Sequence, residues 1–119
     1  MRRNLIVDKS VDFAIRIINL RKYLTSSKNE HVLSKQILRS GTSIGANITE
    51  GQEAQSKADF ISKNSIALKE CAETKYWLTL LERTDYISHD EFLSLNKDAE
   101  ELYAMLVAII KTAKANINS

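Results

Sequence analysis

Apolar side chains recur every three or four residues through most of the chain, and this spacing predicts four α-helices and no strand. The predicted helices run from about Asp8 to Thr25, from about Asn29 to Ala54, from just after Ser56 to Arg83, and from just after Ser88 to Ala115. Short polar connections favour antiparallel packing of consecutive helices. The pattern therefore predicts a single all-α domain, residues 1–119, folded as an antiparallel up-down four-helix bundle.

Two of the helix starts carry a capping pattern. Ser88 is followed three residues later by Glu91, which is the capping box, in which hydroxyl and carboxylate each accept a bond from an orphan backbone amide. Ser56 and Asp59 form a weaker version of the same pattern.

The predicted helices differ in how many of their faces are apolar. The fourth has one broad stripe, made by Phe92, Leu95, Ala99, Leu102, Leu106, Ile109, Ile110 and Ala113. The first has two, one with Val7, Val11, Ala14, Ile15 and Ile18 and one with Phe13, Ile17, Leu20 and Leu24. The third also has two, one with Phe60, Ala67, Cys71, Leu78 and Leu81 and one with Ile66, Trp77 and Leu80. A second apolar face indicates either burial against another copy of the chain or a position beside a wide core.

All three glycines lie in one segment, SGTSIGANITEGQ, from Ser40 to Gln52. A phosphate-binding loop would require Gly-x-x-x-x-Gly-Lys-Ser/Thr after a strand, and this segment has neither that spacing nor the lysine. On a continuous helix, Gly41 and Gly45 lie along one edge of the core-facing line. Since glycine costs up to about 1 kcal/mol in a helix interior, we expect these two to admit a neighbouring helix unusually close.

The other edge of the same line is polar. It holds Gln36, Arg39, Ser43, Asn47 and Glu50. A polar stripe beside a core is partly buried and must be hydrogen-bonded. Glu73 on the third helix, between Ile66 and Trp77, is a candidate partner. We hypothesise a polar interface network of Arg39, Ser43, Asn47, Glu50 and Glu73 that sets register and partner specificity; the alternative is that Arg39 and Glu73 are simply exposed.

Charge is unevenly distributed although the net charge is only +2. Through residue 45 there are nine Lys and Arg against three Asp and Glu, and from residue 46 onward eight against twelve. Such asymmetry marks either a surface for RNA or DNA or a bundle in which basic and acidic helices cancel. The candidate nucleic-acid-binding residues are Arg2, Arg3, Arg16, Arg21, Lys22 and Lys35.

The sequence contains no pattern of residues typical of a catalytic site or a metal site. His31 and His89 lack the Glu-x-x-His spacing of a di-metal bundle, and Cys71 has no partner at metal-ligand spacing. We therefore expect no enzyme activity, cofactor or metal. The lone cysteine, and the absence of an apolar run of signal-peptide or membrane-spanning length, predict a cytoplasmic protein with no membrane partner.

The segments QILRSGTSIGANITEG and SKADFISKNSIALKECAET resemble the four-helix bundle protein family encoded in intervening sequences of bacterial 23S ribosomal RNA genes. The positions that match its pattern are Arg39, Ser43, Ile44, Asn47, Ile48, Glu50, Gly51, Ser56, Asp59, Phe60, Ala67 and Glu73. Two departures are Gly45, where many members have proline, and the absence of the family's N-terminal tryptophan segment. The resemblance implies a left-handed bundle assembled as a homopentameric ring, with no known enzymatic activity.

Three functions remain open at this stage. The first is an oligomer that binds nucleic acid through a basic surface repeated around the ring. The second is an adaptor or scaffold ring that binds another protein and has no nucleic-acid role. The third is a small enzyme with its site between subunits, for which a polar cluster in a closed pocket would be needed.

Overall fold

A computed structural model describes residues 4–117, and these form four helices without a strand. The helices are α1 (Leu5–Ser27), α2 (Leu33–Gln52), α3 (Lys57–Arg83) and α4 (His89–Ile117). The all-helical prediction is confirmed. The main difference is at α2, which begins four residues later than the apolar pattern indicates.

The late start of α2 has a local cause. Asn29 has φ of 52°, a left-handed conformation that stops α1 from continuing. Glu30 then turns its carboxylate back over the first turn of α2, where it accepts bonds from the amides of Leu33 at 3.0 Å and Ser34 at 2.7 Å, and from Val32 at 3.2 Å. Glu30 therefore caps α2, a role usually filled by Ser, Thr, Asp or Asn.

The starts of α3 and α4 follow the capping pattern. The Ser56 hydroxyl accepts a bond from the Asp59 amide at 3.0 Å. At α4, the Ser88 amide donates to the Glu91 carboxylate at 3.0 Å and the Glu91 amide donates to the Ser88 hydroxyl at 3.1 Å. The capping box is thus confirmed in both directions.

Each helix packs on two others. α2 lies between α1 and α3, and α4 contacts α3 and, more narrowly, α1. Within the described residues no Cα atom of α1 comes within 8 Å of one of α3, and none of α2 within 8 Å of one of α4, so these are the diagonal pairs of the bundle. Ion pairs cross the narrow α1–α4 seam: Lys9 to Glu101 at 3.1 Å and Arg16 to Asp98 at 2.6 Å.

The core runs the length of this arrangement, which measures 51 × 25 × 23 Å. Its fully buried large apolar members are Phe13, Ile17, Leu24, Ile37, Ile44, Ile48, Leu78, Leu81, Leu102 and Leu106. On α1 these belong to the stripe of Phe13, Ile17, Leu20 and Leu24. The core takes that stripe, whereas of the other stripe Val7 packs against the core and Val11, Ile15 and Ile18 are exposed.

Candidate interface surfaces

The two glycines predicted to allow close packing lie where α2 meets α1. A Cβ atom added at Gly41 would come within 2.8 Å and 2.9 Å of the two γ carbons of Ile17. One added at Gly45 would lie 3.0 Å from the hydroxyl of Ser10. Neither glycine has a positive φ. Their role is therefore to remove side-chain volume between two helices and not to form a turn.

Arg39 lies against two carboxylates of α3. Its guanidinium pairs with Glu73 and, at 3.4 Å, with Glu70. The same Glu73 carboxylate accepts a bond from the indole N–H of Trp77 at 3.1 Å. The Arg39 side chain remains 53% exposed and that of Glu73 35%. Because pairs this exposed contribute only about 0–1 kcal/mol, the cluster orients Arg39 and Trp77 at the surface more than it stabilises the fold.

The remaining residues of the polar edge do not join that cluster. Asn47 donates from its side-chain amide to the carbonyl of Ser43 at 2.9 Å, and the Ser43 hydroxyl donates to the carbonyl of Arg39 at 2.6 Å. Glu50 lies 3.9 Å from Lys63 near the end of the helix. These bonds within α2 satisfy the polar groups locally. The structure thus brings Arg39 and Glu73 together and keeps Asn47 and Glu50 apart from them.

The second apolar stripe of α1 is open to solvent. Val11 is 47% exposed and Ile15 is 51% exposed. Together with α2 they border an open groove of about 520 Å³. The groove is lined by Ser10, Val11, Ala14, Ile15, Ile18, Thr42, Gly45, Ala46, Thr49 and Glu50. We call this surface the α1–α2 face. It shows that the stripe does not flank a wide core within one chain.

The second stripe of α3 is covered only in part. Ile66 is 39% exposed, while Trp77 packs against the edge of the core and contacts Tyr76 edge to face at 5.0 Å between ring centres.

The candidate basic residues fall into three groups. Arg2 and Arg3 lie outside the described residues. Arg16 pairs with Asp98 and donates to the Ser94 hydroxyl at 2.9 Å, so its charge is largely neutralised. The exposed group is Arg21, Lys22 and Lys35, and within the described chain no carboxylate pairs with any of them.

A further cation lies near Arg21 and Lys22. Lys28, in the turn between α1 and α2, is exposed and lies over the Tyr23 ring at 5.9 Å from its centre. Sequence patterns do not single out Lys28, because one lysine in a polar turn carries no periodic signal. Arg21, Lys22, Lys28 and Lys35 together form what we call the basic turn surface.

The cysteine and the two histidines, which could carry thiol or acid–base chemistry, do not form a cluster in the described chain. Cys71 is fully buried and donates to the carbonyl of Ala99 at 3.1 Å, and burial raises the pKa of its thiol to about 11. His31 and His89 are both exposed. Among residues 4–117, no group of three His, Cys, Asp or Glu side chains is placed to hold a metal ion.

The buried carboxyl of Glu30 has a shifted pKa. Burial acts to raise the pKa of Glu30, but the amides of Leu33, Ser34 and Val32 outweigh it, and the pKa is lowered overall. The ionised form is therefore the one that caps α2.

None of the four described helices combines the length and apolar content needed to cross a bilayer.

Comparison with known proteins identifies relatives by sequence and by structure. The model of the 23S rRNA-intervening sequence protein family matches residues 2–108. A crystal structure of a protein of unknown function from the S23 ribosomal protein family of Bacteroides thetaiotaomicron VPI-5482 is 57% identical, with a TM-score of 0.89. The match covers 89% of this chain and 98% of that one. No curated protein matches.

Proposed function

The chain belongs to the 23S rRNA-intervening sequence protein family, and we propose that it is a non-catalytic, cytoplasmic assembly protein whose copies form a ring that binds nucleic acid. The resemblance of α2 and α3 to this family is confirmed. The family description and the relative of unknown function name no activity, so the proposal is built on the surfaces described above.

The observation that carries the proposal is the open α1–α2 face. Apolar surface exposed in a row along a helix and continued into a groove is typical of a surface that another chain covers. Burying it would contribute roughly 25 cal/mol per Å² of apolar area removed from water. The resemblance implies five copies in a ring, and repetition around a ring would multiply any weak binding surface on each copy.

The proposed protomer is an up-down, left-handed bundle. Pairing between neighbouring helices supports antiparallel directions: Gly41 meets Ile17 while Gly45 meets Ser10, so residue numbers rise along one helix as they fall along the other. The same reversal relates α2 to α3, where Arg39 meets Glu73 and Gly51 meets Lys63.

The basic turn surface is the proposed contact with nucleic acid. Its cations are exposed and have no carboxylate partner among the described residues, so they are available to phosphates, whereas Arg16 is not. Phosphate contacts are sequence-independent, release counterions and weaken steeply with salt.

The test is a titration of protein of known mass with single- and double-stranded RNA and DNA. Light scattering should give about five copies per particle, and electrophoretic shifts should show an affinity that falls steeply as salt rises from about 50 to 200 mM. Reversing Lys28 to glutamate should weaken the shift at least about 10-fold at low salt while light scattering still gives the wild-type mass. The matched control reverses Lys97, which is also exposed but lies on α4, and it should change neither the shift nor the mass. Absence of binding at low salt would overturn the nucleic-acid part and favour the scaffold function.

An adaptor ring is the second candidate, and one feature favours it. An open apolar groove of about 380 Å³ lies between the start of α3 and the end of α4, bordered by Phe60, Ile109 and Ala113. A partner protein that buries this groove would bind equally well in high and low salt, unlike nucleic acid.

A further inference from the structure

Twenty of the thirty charged side chains of the described chain lie near the two ends of the bundle, in four blocks that each hold four charges of one sign and one of the other. The first block joins the start of α1 to the end of α2 and is acidic: Asp8, Asp12, Glu50 and Glu53, with Lys9. The second surrounds the α1–α2 turn and is basic: Arg21, Lys22, Lys28 and Lys35, with Glu30. The third surrounds the α3–α4 turn and is acidic: Glu82, Asp85, Asp90 and Glu91, with Arg83. The fourth joins the start of α3 to the end of α4 and is basic: Lys57, Lys63, Lys111 and Lys114, with Asp59.

Contacts between helices place these blocks at the two ends of the molecule. Asn4 donates to Gln52 at 2.8 Å, which sets the start of α1 beside the end of α2. Gly51 packs against Lys63 and Asn64, which brings the start of α3 to that same end. This end therefore carries the first block on the α1–α2 side and the fourth on the α3–α4 side, except that Glu50 and Lys63 lie 3.9 Å apart and pair across the α2–α3 seam within one copy. The opposite end carries the α1–α2 turn with the basic second block and the α3–α4 turn with the acidic third block.

The α1–α2 face has the spacing of a helix-pairing seam. Its α1 residues Val11, Ile15 and Ile18 are separated by four and three positions, and the series continues to Lys22. Such 3-and-4 spacing is the pattern by which one helix lies along another.

A second seam lies on the opposite side, between α3 and α4. Lys75 of α3 crosses it, 4.0 Å from Glu100 and 5.2 Å from the ring centre of Tyr103. Val107, one turn beyond Tyr103, is 43% exposed, and Ala72, one turn before Lys75, is also exposed. We call this surface the α3–α4 face. It is opposite the α1–α2 face because α1 and α3, and α2 and α4, are the diagonal pairs of the bundle.

We propose that the α1–α2 face of one copy docks on the α3–α4 face of the next copy, with both copies pointing in the same direction. The inference rests on the assembly proposed above and names the surfaces that make it. In this arrangement the acidic first block meets the basic fourth block of the next copy at one end of the contact, and the basic second block meets the acidic third block at the other end. Reversing one copy would instead bring blocks of like sign together, which is unfavourable.

A contact between two different faces also covers both of them. If the α1–α2 face paired with its own counterpart, the α3–α4 face would stay open on every copy. A head-to-tail contact repeats from copy to copy and closes into a ring when the rotation allows. The contact uses most of the basic turn surface, because Arg21, Lys22 and Lys35 would face the acidic third block of the next copy. Lys28 lies in the turn and not on the α1 seam series, and it is the cation of this surface left to contact a phosphate in the assembled ring.

Two single variants and their mixture test the choice of faces. Ile15→Lys disables the α1–α2 face and Val107→Lys disables the α3–α4 face; both positions are about half exposed, so both variants should keep the helical signal and melting temperature of the wild type. Each variant alone should have the mass of a monomer. Their equimolar mixture should form a 1:1 dimer, because one intact face of each kind remains. Val32→Lys, at a turn residue that is 72% exposed, is the matched control and should keep the wild-type mass.

The outcomes separate this inference from the proposed assembly. A Val107→Lys variant that keeps the wild-type mass, or a mixture that stays monomeric, would overturn the pairing of these faces while the assembly stands. A wild-type protein that is monomeric at the highest attainable concentration would overturn both.

Charge reversal tests the direction of the contact. Glu53→Lys and Lys111→Glu lie in blocks that the parallel contact brings together, and each should weaken association by roughly 3- to 10-fold at low salt. The chain carrying both reversals should recover to within about 3-fold of the wild type. If the double variant is weaker than either single one, the parallel direction is wrong.

Discussion

Replacement of Gly41 by alanine should destabilise the protein although alanine is the better helix former. The added Cβ would lie 2.8 Å and 2.9 Å from the γ carbons of Ile17 and 3.2 Å from its Cβ. Ile17 is fully buried and branched at Cβ, so it has no free space to turn into. Overpacking of this kind costs about 1–3 kcal/mol, and the gain in helix propensity returns about 1 kcal/mol. We take the upper half of the overpacking range for this rigid site and expect a net loss of about 1–2 kcal/mol.

Equilibrium unfolding in guanidinium chloride, followed by circular dichroism at one fixed protein concentration, measures this loss directly. The concentration must be fixed because association stabilises the folded state. The expected change is a lower midpoint with an unchanged slope, and a melting temperature lower by roughly 3–6 °C per kcal/mol.

Gly45→Ala is the matched comparison for this measurement. Its added Cβ would meet the Ser10 hydroxyl at 3.0 Å and the Ser10 Cβ at 3.3 Å, a tighter contact than usual but without two carbons inside 3 Å. The propensity gain and the packing cost should nearly cancel, giving a change within about 0.5 kcal/mol. A Gly41→Ala protein as stable as the wild type would refute the assignment of this glycine to close packing.

Three further measurements probe other sites. Glu30→Gln should lower the free energy of unfolding by about 1–2 kcal/mol at neutral pH. Because the folded pKa of Glu30 is lowered, the wild type holds this stabilisation above the unfolded pKa of 4.5 and loses it as pH falls through the folded pKa. In acid denaturation the stabilities of the two proteins should therefore converge. Cys71, with its pKa raised to about 11 and no exposed surface, should react with a thiol reagent at neutral pH only as fast as the protein opens, and labelling at the rate of a free thiol would contradict its burial. Arg16→Ala should change nucleic-acid affinity much less than Lys28→Ala, since Asp98 already holds the Arg16 guanidinium, and equal losses in a shift titration would show that the ion pair opens on binding.

The helical fold could be predicted from the sequence because its signals are local. The apolar period and the Ser88–Glu91 capping box act within a few residues, and both describe the structure correctly. The start of α2 could not be placed, because it depends on the left-handed conformation of Asn29 and on a glutamate that caps from outside the helix. A left-handed residue is typical of the end of a helix and not of its start, and glutamate is not among the residues normally found at an N-cap.

The candidate surfaces were only partly predictable, for a different physical reason. The sequence places Arg39 and Arg16 equally well on helix surfaces, but the charge available to a ligand depends on which carboxylate lies across the interhelical seam. Asp98 is far from Arg16 in sequence and meets it at 2.6 Å, whereas Lys22 meets no carboxylate within the described chain. Long-range pairing of this kind has no periodic signature, so charge counts along the chain overstate cations such as Arg16. The candidate cations also do not include Lys28, because its position beside Arg21 and Lys22 depends on the turn.

Glycine is absent from the two turns that would ordinarily use it. Asn29 and Asp85 adopt the left-handed conformation after α1 and α3, with φ of 52° and 65°, while no glycine has a positive φ. The turns work without glycine because Asn and Asp tolerate this conformation better than other side chains. Gly41 cannot be replaced in the same way, because any side chain at this position would overlap with Ile17. The close approach of α2 that this allows also fixes how far apart Ile15 and Thr42 lie, and so shapes the groove that we propose another copy fills.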